Sequence, residues 1–60
     1  MSLPEKTIEQ QALEKLEKAT IDLLVSVYHV RQTKDDSLRE GWKANAKIAI
    51  ETIKKAAQMI

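Results

Sequence analysis

The segment ATIDLLVSVYHV, residues 19–30, constrains the fold of this chain more than any other stretch. Drawn as a helix at about 100° per residue, it carries apolar side chains around most of its circumference and leaves one narrow polar stripe. A helix that apolar needs more than one neighbour, and the chain offers a single obvious partner helix, over residues 38–60. The surplus surface therefore predicts a contact with another copy of the chain or with a partner protein. The predicted interface residues are Ile21, Leu24, Val25, Val27 and Tyr28.

Length and composition limit how such a chain is stabilised. Sixty residues form at most one small domain, and without cysteine neither a disulfide nor a zinc finger reinforces a small core. Two helices alone bury too little apolar surface to offset the entropy of ordering them, so association is the simplest remedy. We therefore predict a non-enzymatic protein–protein interaction or oligomerisation module, acting as a small structural subunit or adaptor.

Helix one opens with the sequence SLPE, residues 2–5, which matches a helix start. The Ser2 hydroxyl can accept a hydrogen bond from a first-turn amide, Glu5 can reach back, and Pro4 needs no amide partner there. Apolar residues then recur at steps of three and four, which is typical of a helix. The alternation of Val and Ser over residues 23–30 also fits a strand, but no second strand is present to pair with it.

The segment KDDS, residues 34–37, is the only break in the chain. It has the length of a helix–helix connection, and Ser37 with Glu40 repeats the Ser-x-x-Glu capping arrangement. We expect its two aspartates, Asp35 and Asp36, to favour the positive N-terminal end of helix two. The predicted single domain therefore has helix one at about 3–33, a loop at about 34–36 and helix two at about 37–60.

The apolar residues of helix two follow a four-three spacing, which is typical of a coiled-coil seam. With the turn centred near Asp35, antiparallel packing places Trp42 beside Tyr28 and Val27. Gly41 costs a helix about 1 kcal/mol relative to Ala, so its presence predicts that a backbone or a bulky side chain approaches closely there. The regularly spaced residues are Trp42, Ala46, Ala49, Ile53, Ala56 and Ile60.

With two helices, a short loop and heptad spacing, the chain resembles the small hairpin proteins that dimerise into four-helix bundles, such as the Rop-type RNA-binding dimers. The resemblance concerns layout alone and carries no functional residues across. It agrees with the predicted all-α fold, in which an antiparallel two-helix hairpin assembles into a bundle of four or more helices. The other helices come from a second copy, as in a homodimer, or from a helical partner protein.

Charge distinguishes the two predicted helices. Ten Lys and Arg against nine Asp and Glu give a net charge of +1, which is no signature of a nucleic-acid binder. Helix two is nevertheless the basic one, and its basic edge could follow a phosphate backbone or meet an acidic partner, although Glu51 interrupts it. The alternative function is therefore a small nucleic-acid-binding regulator. Its contact residues are Arg39, Lys43, Lys47 and Lys54.

Asp22, Ser26 and His29 share one helical face and are the residue types of a nucleophilic triad. Catalysis also needs oxyanion donors and a cleft, and this chain has no Gly-rich elbow or second loop to supply them. We therefore expect a polar stripe that is solvated or faces a partner. The chain has one His and no Cys, and the two aspartates of the loop do not have the spacing of a metal-ligand set. We therefore predict no enzyme, no metal site, no cofactor and no small-molecule substrate.

No apolar run approaches the ~18 to 20 residues that a membrane span needs, and the first residues lack the layout of a signal peptide. The chain is therefore predicted to be soluble and intracellular, cytoplasmic by default, with no membrane contact. The absence of Cys agrees with a reducing compartment.

Overall fold

The computed structural model describes residues 6–60 as an antiparallel hairpin of two packed α-helices. Helix α1 runs over Ile8–Gln32 and helix α2 over Asp36–Ala57, joined by residues 33–35. No strand occurs among the residues that the structure describes. The predicted all-α hairpin is confirmed, and the alternative of a strand over residues 23–30 is wrong.

Helix α1 begins at a capping box around Thr7. The Thr7 hydroxyl accepts a hydrogen bond from the Gln10 amide at 3.0 Å, and the Gln10 side chain accepts one from the Thr7 amide at 3.0 Å. Two first-turn donors are thereby satisfied, so the helix starts at Ile8. The start predicted at about residue 3 and its cap at Ser2 lie outside the described residues.

Helix α2 begins at a cap supplied by Asp35. Its carboxylate accepts a hydrogen bond from the Leu38 amide at 3.0 Å, and Asp36 follows in the first turn. The expected role of the two aspartates at the positive end of this helix is confirmed. The predicted cap at Ser37 is wrong, because a carboxylate two residues earlier satisfies the first-turn amide. The helix therefore begins one residue earlier than predicted, and it ends at Ala57 rather than at the last residue.

Only small side chains are fully buried where the helices meet. The buried residues lie seven positions apart along each helix, which is the spacing of a heptad seam. Small side chains let two helix axes approach toward the short end of the usual ~8–10 Å range. They also remove little apolar area from water, so their burial contributes little hydrophobic stabilisation. This small-residue seam consists of Ala12, Ala19 and Ser26 of α1 with Ala49 and Ala56 of α2.

The register of the hairpin lies within one residue of the predicted one. The Asn45 side chain donates a hydrogen bond to the Ser26 hydroxyl. One turn toward the loop, the rings of His29 and Trp42 stack with centroids 4.1 Å apart. Both pairs lie one position further along α2 than a turn centred at Asp35 predicts.

The face that α1 turns toward α2 differs from the prediction. Tyr28 and Val27, the predicted neighbours of Trp42, are 58% and 42% exposed. The heptad that starts at Ala12 and Ala19 continues to Ser26, so the seam follows the small residues rather than the large apolar ones. The large side chains around position 27 are consequently turned outward.

Gly41 has open space around it in the hairpin. A Cβ built on this glycine would meet no other atom within 4 Å. The expectation that a backbone or bulky side chain of the hairpin approaches closely at Gly41 is therefore wrong. Its backbone φ is not positive, so helix geometry does not require glycine there either.

The hairpin is a single layer of helices. Its smallest dimension is 13 Å, against 52 Å and 24 Å for the other two, and one helix with side chains is about 10–12 Å across. The radius of gyration is 14.9 Å, whereas a compact chain of this length has about 10 Å. Because the hairpin is a single layer, both of its broad sides face solvent. Domains are ordinarily built from at least two packed layers.

We expect Ala49→Leu to destabilise the hairpin by about 1–3 kcal/mol, because the small-residue seam has no room for a larger side chain. Ala44→Leu is the matched control, since Ala44 is exposed in the middle of the same helix. The measurement is the free energy of unfolding in urea at one fixed protein concentration. Equal stability of the two variants would contradict a tightly packed seam.

We expect Gly41→Ala to raise the free energy of unfolding by about 1 kcal/mol, because alanine loses less backbone entropy on helix formation and the new Cβ meets nothing. The measurement is urea unfolding at the protein concentration used for the native chain. A loss of stability would show that another molecule packs against Gly41 in solution.

Candidate interaction surfaces

Large apolar side chains lie mostly on the outside of the hairpin. Twelve of them, among the residues that the structure describes, are between 39% and 70% exposed. Single exposed apolar residues are ordinary on protein surfaces, whereas contiguous ones mark interaction sites. The position of these side chains relative to the small-residue seam decides which of the two applies.

Four of the five predicted interface residues form a stripe on the outer face of α1. Ile21, Leu24, Val25 and Tyr28 follow the steps i, i+3, i+4 and i+7, so they lie on one helical face, and all are exposed. This face is opposite to the small-residue seam. We call these four residues the outer stripe. Val27, the fifth predicted residue, is also exposed but lies on a different face.

One broad side of the hairpin is polar. On α1, Asp22 lies three residues after the seam residue Ala19, and Lys15 lies four residues before it. On α2, Thr52 and Asn45 occupy the equivalent positions around Ala49. An open groove of about 390 Å³ on this polar side is lined by residues of both helices. They include Lys15, Lys18, Asp22, Asn45, Ile48 and Thr52.

The opposite broad side is apolar. Its inner members are the residues three before and four after each seam residue. Its outer members are the residues one after each seam residue, which lie farther from the contact. The inner members are half-buried against the seam, and the outer members are exposed. Sequence reasoning assigned the α2 members Ala46 and Ile53 to the coiled-coil seam and missed this surface. The apolar side consists of Leu13, Leu16, Leu23, Val27 and Val30 of α1 with Ala46, Ile50 and Ile53 of α2.

The polar stripe of α1 is part of the intramolecular contact. Ser26 is 0% exposed, and its hydroxyl donates to the Asp22 carbonyl oxygen at 2.9 Å while accepting from Asn45. The expectation that Ser26 is solvated or faces a partner is wrong. His29 is half-buried, in a stack with Trp42. The Ser26 hydroxyl therefore serves the hairpin contact, and it is bonded to Asn45 rather than to His29.

The basic edge of α2 is partly neutralised by its own chain. Lys43 contacts Glu40 at 3.1 Å, and Lys54 contacts Glu51 at 3.5 Å. Such exposed pairs one turn apart contribute little stability, but they lower the local positive charge. The fourth predicted contact, Lys47, lies exposed between these two pairs.

Arg39 has a structural role at the loop. Its guanidinium Nε donates a hydrogen bond to the Val30 carbonyl oxygen at 3.3 Å. That carbonyl belongs to the last turn of α1, where backbone oxygens lack helical partners and the helix dipole favours a cation. Arg39 thus joins the end of α1 to the start of α2.

Two features are absent from residues 6–60. No group of three or more His, Cys, Asp or Glu side chains in this range is arranged to hold a metal ion. Neither helix is both long enough and apolar enough to cross a membrane.

Comparison with known proteins assigns this chain to no family. No family model matches it, and neither a curated protein nor a solved structure is significantly similar to it. What the hairpin does must therefore be inferred from its own side chains.

We expect Ser26 and Asn45 to be coupled by about 0.5–1.5 kcal/mol, the net value of one hydrogen bond in a partly buried site. The measurement is a double-mutant cycle of Ser26→Ala, Asn45→Ala and both together, by urea unfolding. Ser26→Ala alone is a poor test because Ala is the better helix former and matches the seam. Additive effects of the two substitutions would contradict the coupling.

Proposed function

We propose that this chain is a non-enzymatic protein–protein interaction or oligomerisation module, a small helical-hairpin subunit or adaptor. In this proposal the hairpin is one part of a bundle of four or more helices, completed by another copy or by a helical partner protein. One observation carries the proposal. The buried core holds four alanines and one serine, whereas twelve large apolar side chains among the described residues are exposed.

The size of the core makes association a condition of stability. Domains below about 70–80 residues rarely obtain enough stabilisation from one hydrophobic core, and among the residues that the structure describes no Leu, Ile or Val is fully buried. The chain also has no Cys for a disulfide. Apolar contacts with another molecule are therefore the remaining large source of stabilisation.

The outer stripe is a second argument for contact with another molecule. Its four apolar residues span two helical turns, or about 10 Å. Glu17 and Arg31 lie one heptad before and one heptad after Leu24, so opposite charges border the stripe at its two ends. An apolar centre with a charged rim is the usual anatomy of a protein–protein contact.

The alternative proposal, a small nucleic-acid-binding regulator that uses the basic edge of α2, has less support. Of its four contact residues, Arg39 caps α1 while Lys43 and Lys54 lie beside glutamates. Binding to phosphates through this edge would weaken steeply with salt. Affinity for RNA or DNA with that salt dependence would favour this alternative over a protein partner.

We expect the native chain to associate, and its helical content to fall on dilution as its mass falls. The measurement is sedimentation equilibrium with circular dichroism on the same dilution series. Folding coupled to association depends on protein concentration, whereas the folding of a monomer does not. A well-folded monomer at every concentration would contradict the proposed function.

We expect Leu24→Asp to reduce the mass of the assembly, because a charge replaces the centre of the outer stripe. Ala44→Asp is the matched control, since it adds the same charge at an exposed position in the middle of α2. Sedimentation of both variants beside the native chain makes the comparison. If the two variants and the native chain have equal masses, the outer stripe takes no part in self-association.

A further inference from the structure

We infer that a second copy of this chain covers the apolar side of the hairpin, forming a four-helix bundle with the two loops at opposite ends. The inference rests on the proposed function, since it names the occupant of a surface that association would use. It adds which side of the hairpin is covered, by which molecule and in which orientation.

The apolar side is suited to complete burial. Its inner residues, such as Leu23 and Ile53, are already half-buried against the seam. Thr20 is the polar residue within it, and its hydroxyl donates to the Leu16 carbonyl oxygen at 2.7 Å. Because that hydroxyl has a partner in its own helix, a second layer can cover Thr20 without leaving a donor unsatisfied. Across the middle of this side no charged group would have to be desolvated.

The hairpin exposes more surface than a compact monomer of its mass, and the area that two copies would have to bury is that of a dimer interface. The chain exposes 5227 Å², whereas a compact monomer of this mass exposes about 4,000 Å². A compact protein of twice the mass exposes about 6,600 Å², so two hairpins reach ordinary compactness by burying about 3,900 Å² between them. Obligate homodimers bury about 2,000–5,000 Å², whereas contacts of standard size bury about 1,600 Å².

The shape of the surface also favours a second copy. The apolar side is two helices wide, and it extends from Leu13 to Val30 along α1, a distance of about 25 Å. A single helix laid on it would fill the groove between α1 and α2 but leave the outer positions, such as Val27 and Ile50, exposed. An occupant of the same width and length is the apolar side of another copy, which supplies the second layer.

The charges at the two ends of the apolar side favour one orientation of the second copy. At the loop end of the apolar side lie Arg39 and Lys43, and at its open end lies Glu9, three residues before Ala12. Two copies with their loops at the same end would place these cations side by side. Two copies with their loops at opposite ends would bring Glu9 of each copy toward the basic end of the other. With the two-fold axis midway between Leu13 and Val30, Glu9 falls level with about position 37 of the second copy, two residues before its Arg39.

The polar side remains outside this bundle, because the groove with Lys15 and Asn45 faces away from the second layer. Leu24 lies four residues after Thr20 and three before Val27, so it borders the apolar side and the edge of the second layer. The rest of the outer stripe lies farther round α1 and remains available for a further contact.

Two isoleucines of α2 provide a matched pair of variants. Ile50 lies on the apolar side and is 39% exposed, and Ile48 lies on the polar side and is 65% exposed. We expect Ile50→Glu to lose the dimer and most of its helical content at concentrations where the native chain is associated. We expect Ile48→Glu, the same substitution two residues away, to retain both. Sedimentation equilibrium and circular dichroism of the two variants make the comparison.

Each result of that comparison supports or overturns the inference. Association that survives Ile50→Glu, or is lost equally in Ile48→Glu, overturns it while leaving the proposed function intact. A native chain that is a poorly helical monomer at every concentration also overturns it, because the occupant would then be a different protein. A native chain that is a well-folded monomer overturns both the inference and the proposed function.

The orientation has its own measurement. The chain has no Cys, so Lys34→Cys in the loop gives one site for a nitroxide spin label. Loops at opposite ends of the bundle place the two labels roughly one helix length apart, about 35 Å. Loops at the same end place them within about 20 Å. A pulsed electron–electron double resonance distance in the short range would overturn the proposed orientation.

Discussion

Close packing of small side chains holds this hairpin together and also limits its stability. Alanine and serine at every seventh position let the two helices approach, because no bulky group separates their axes. The same choice removes very little apolar area from water, since an alanine side chain is a single methyl group. The leucines, isoleucines and valines therefore lie beside or behind the contact, where a two-helix layer covers them in part or not at all. The small residues of the seam therefore explain both the close approach of the helices and the exposure of the large apolar side chains.

Polar groups make the hairpin specific where apolar burial is weak. Ser26 and Asn45 form a hydrogen bond across the seam, and a shift of one helix along the other would leave the buried hydroxyl without Asn45. At the loop, Asp35 satisfies an amide of α2 while Arg39 satisfies a carbonyl of α1. These bonds contribute modest energies individually, but they oppose alternative registers that a row of alanines would tolerate.

Much of the fold could be predicted from the sequence, because two periodic segments and one short break leave few arrangements. The helix starts were harder, since the chain offers two capping patterns near each start and only packing of the whole helix selects one. The face of α1 was wrong for a physical reason. Counting large apolar residues around Leu24 pointed to the wrong side, whereas the heptad of Ala12 and Ala19 indicated the correct one. The apolar side lies next to that heptad, so the same signal could have found it.

The separation between the seam and the large exposed residues has an evolutionary consequence. Substitutions in the seam are confined to a few small amino acids, because any added volume pushes the helices apart. Substitutions on the outer surfaces meet no such limit within the hairpin. A lineage of such chains could therefore change the chemistry of its outer surfaces while inheriting its hairpin unchanged, with surface and architecture subject to separate selection.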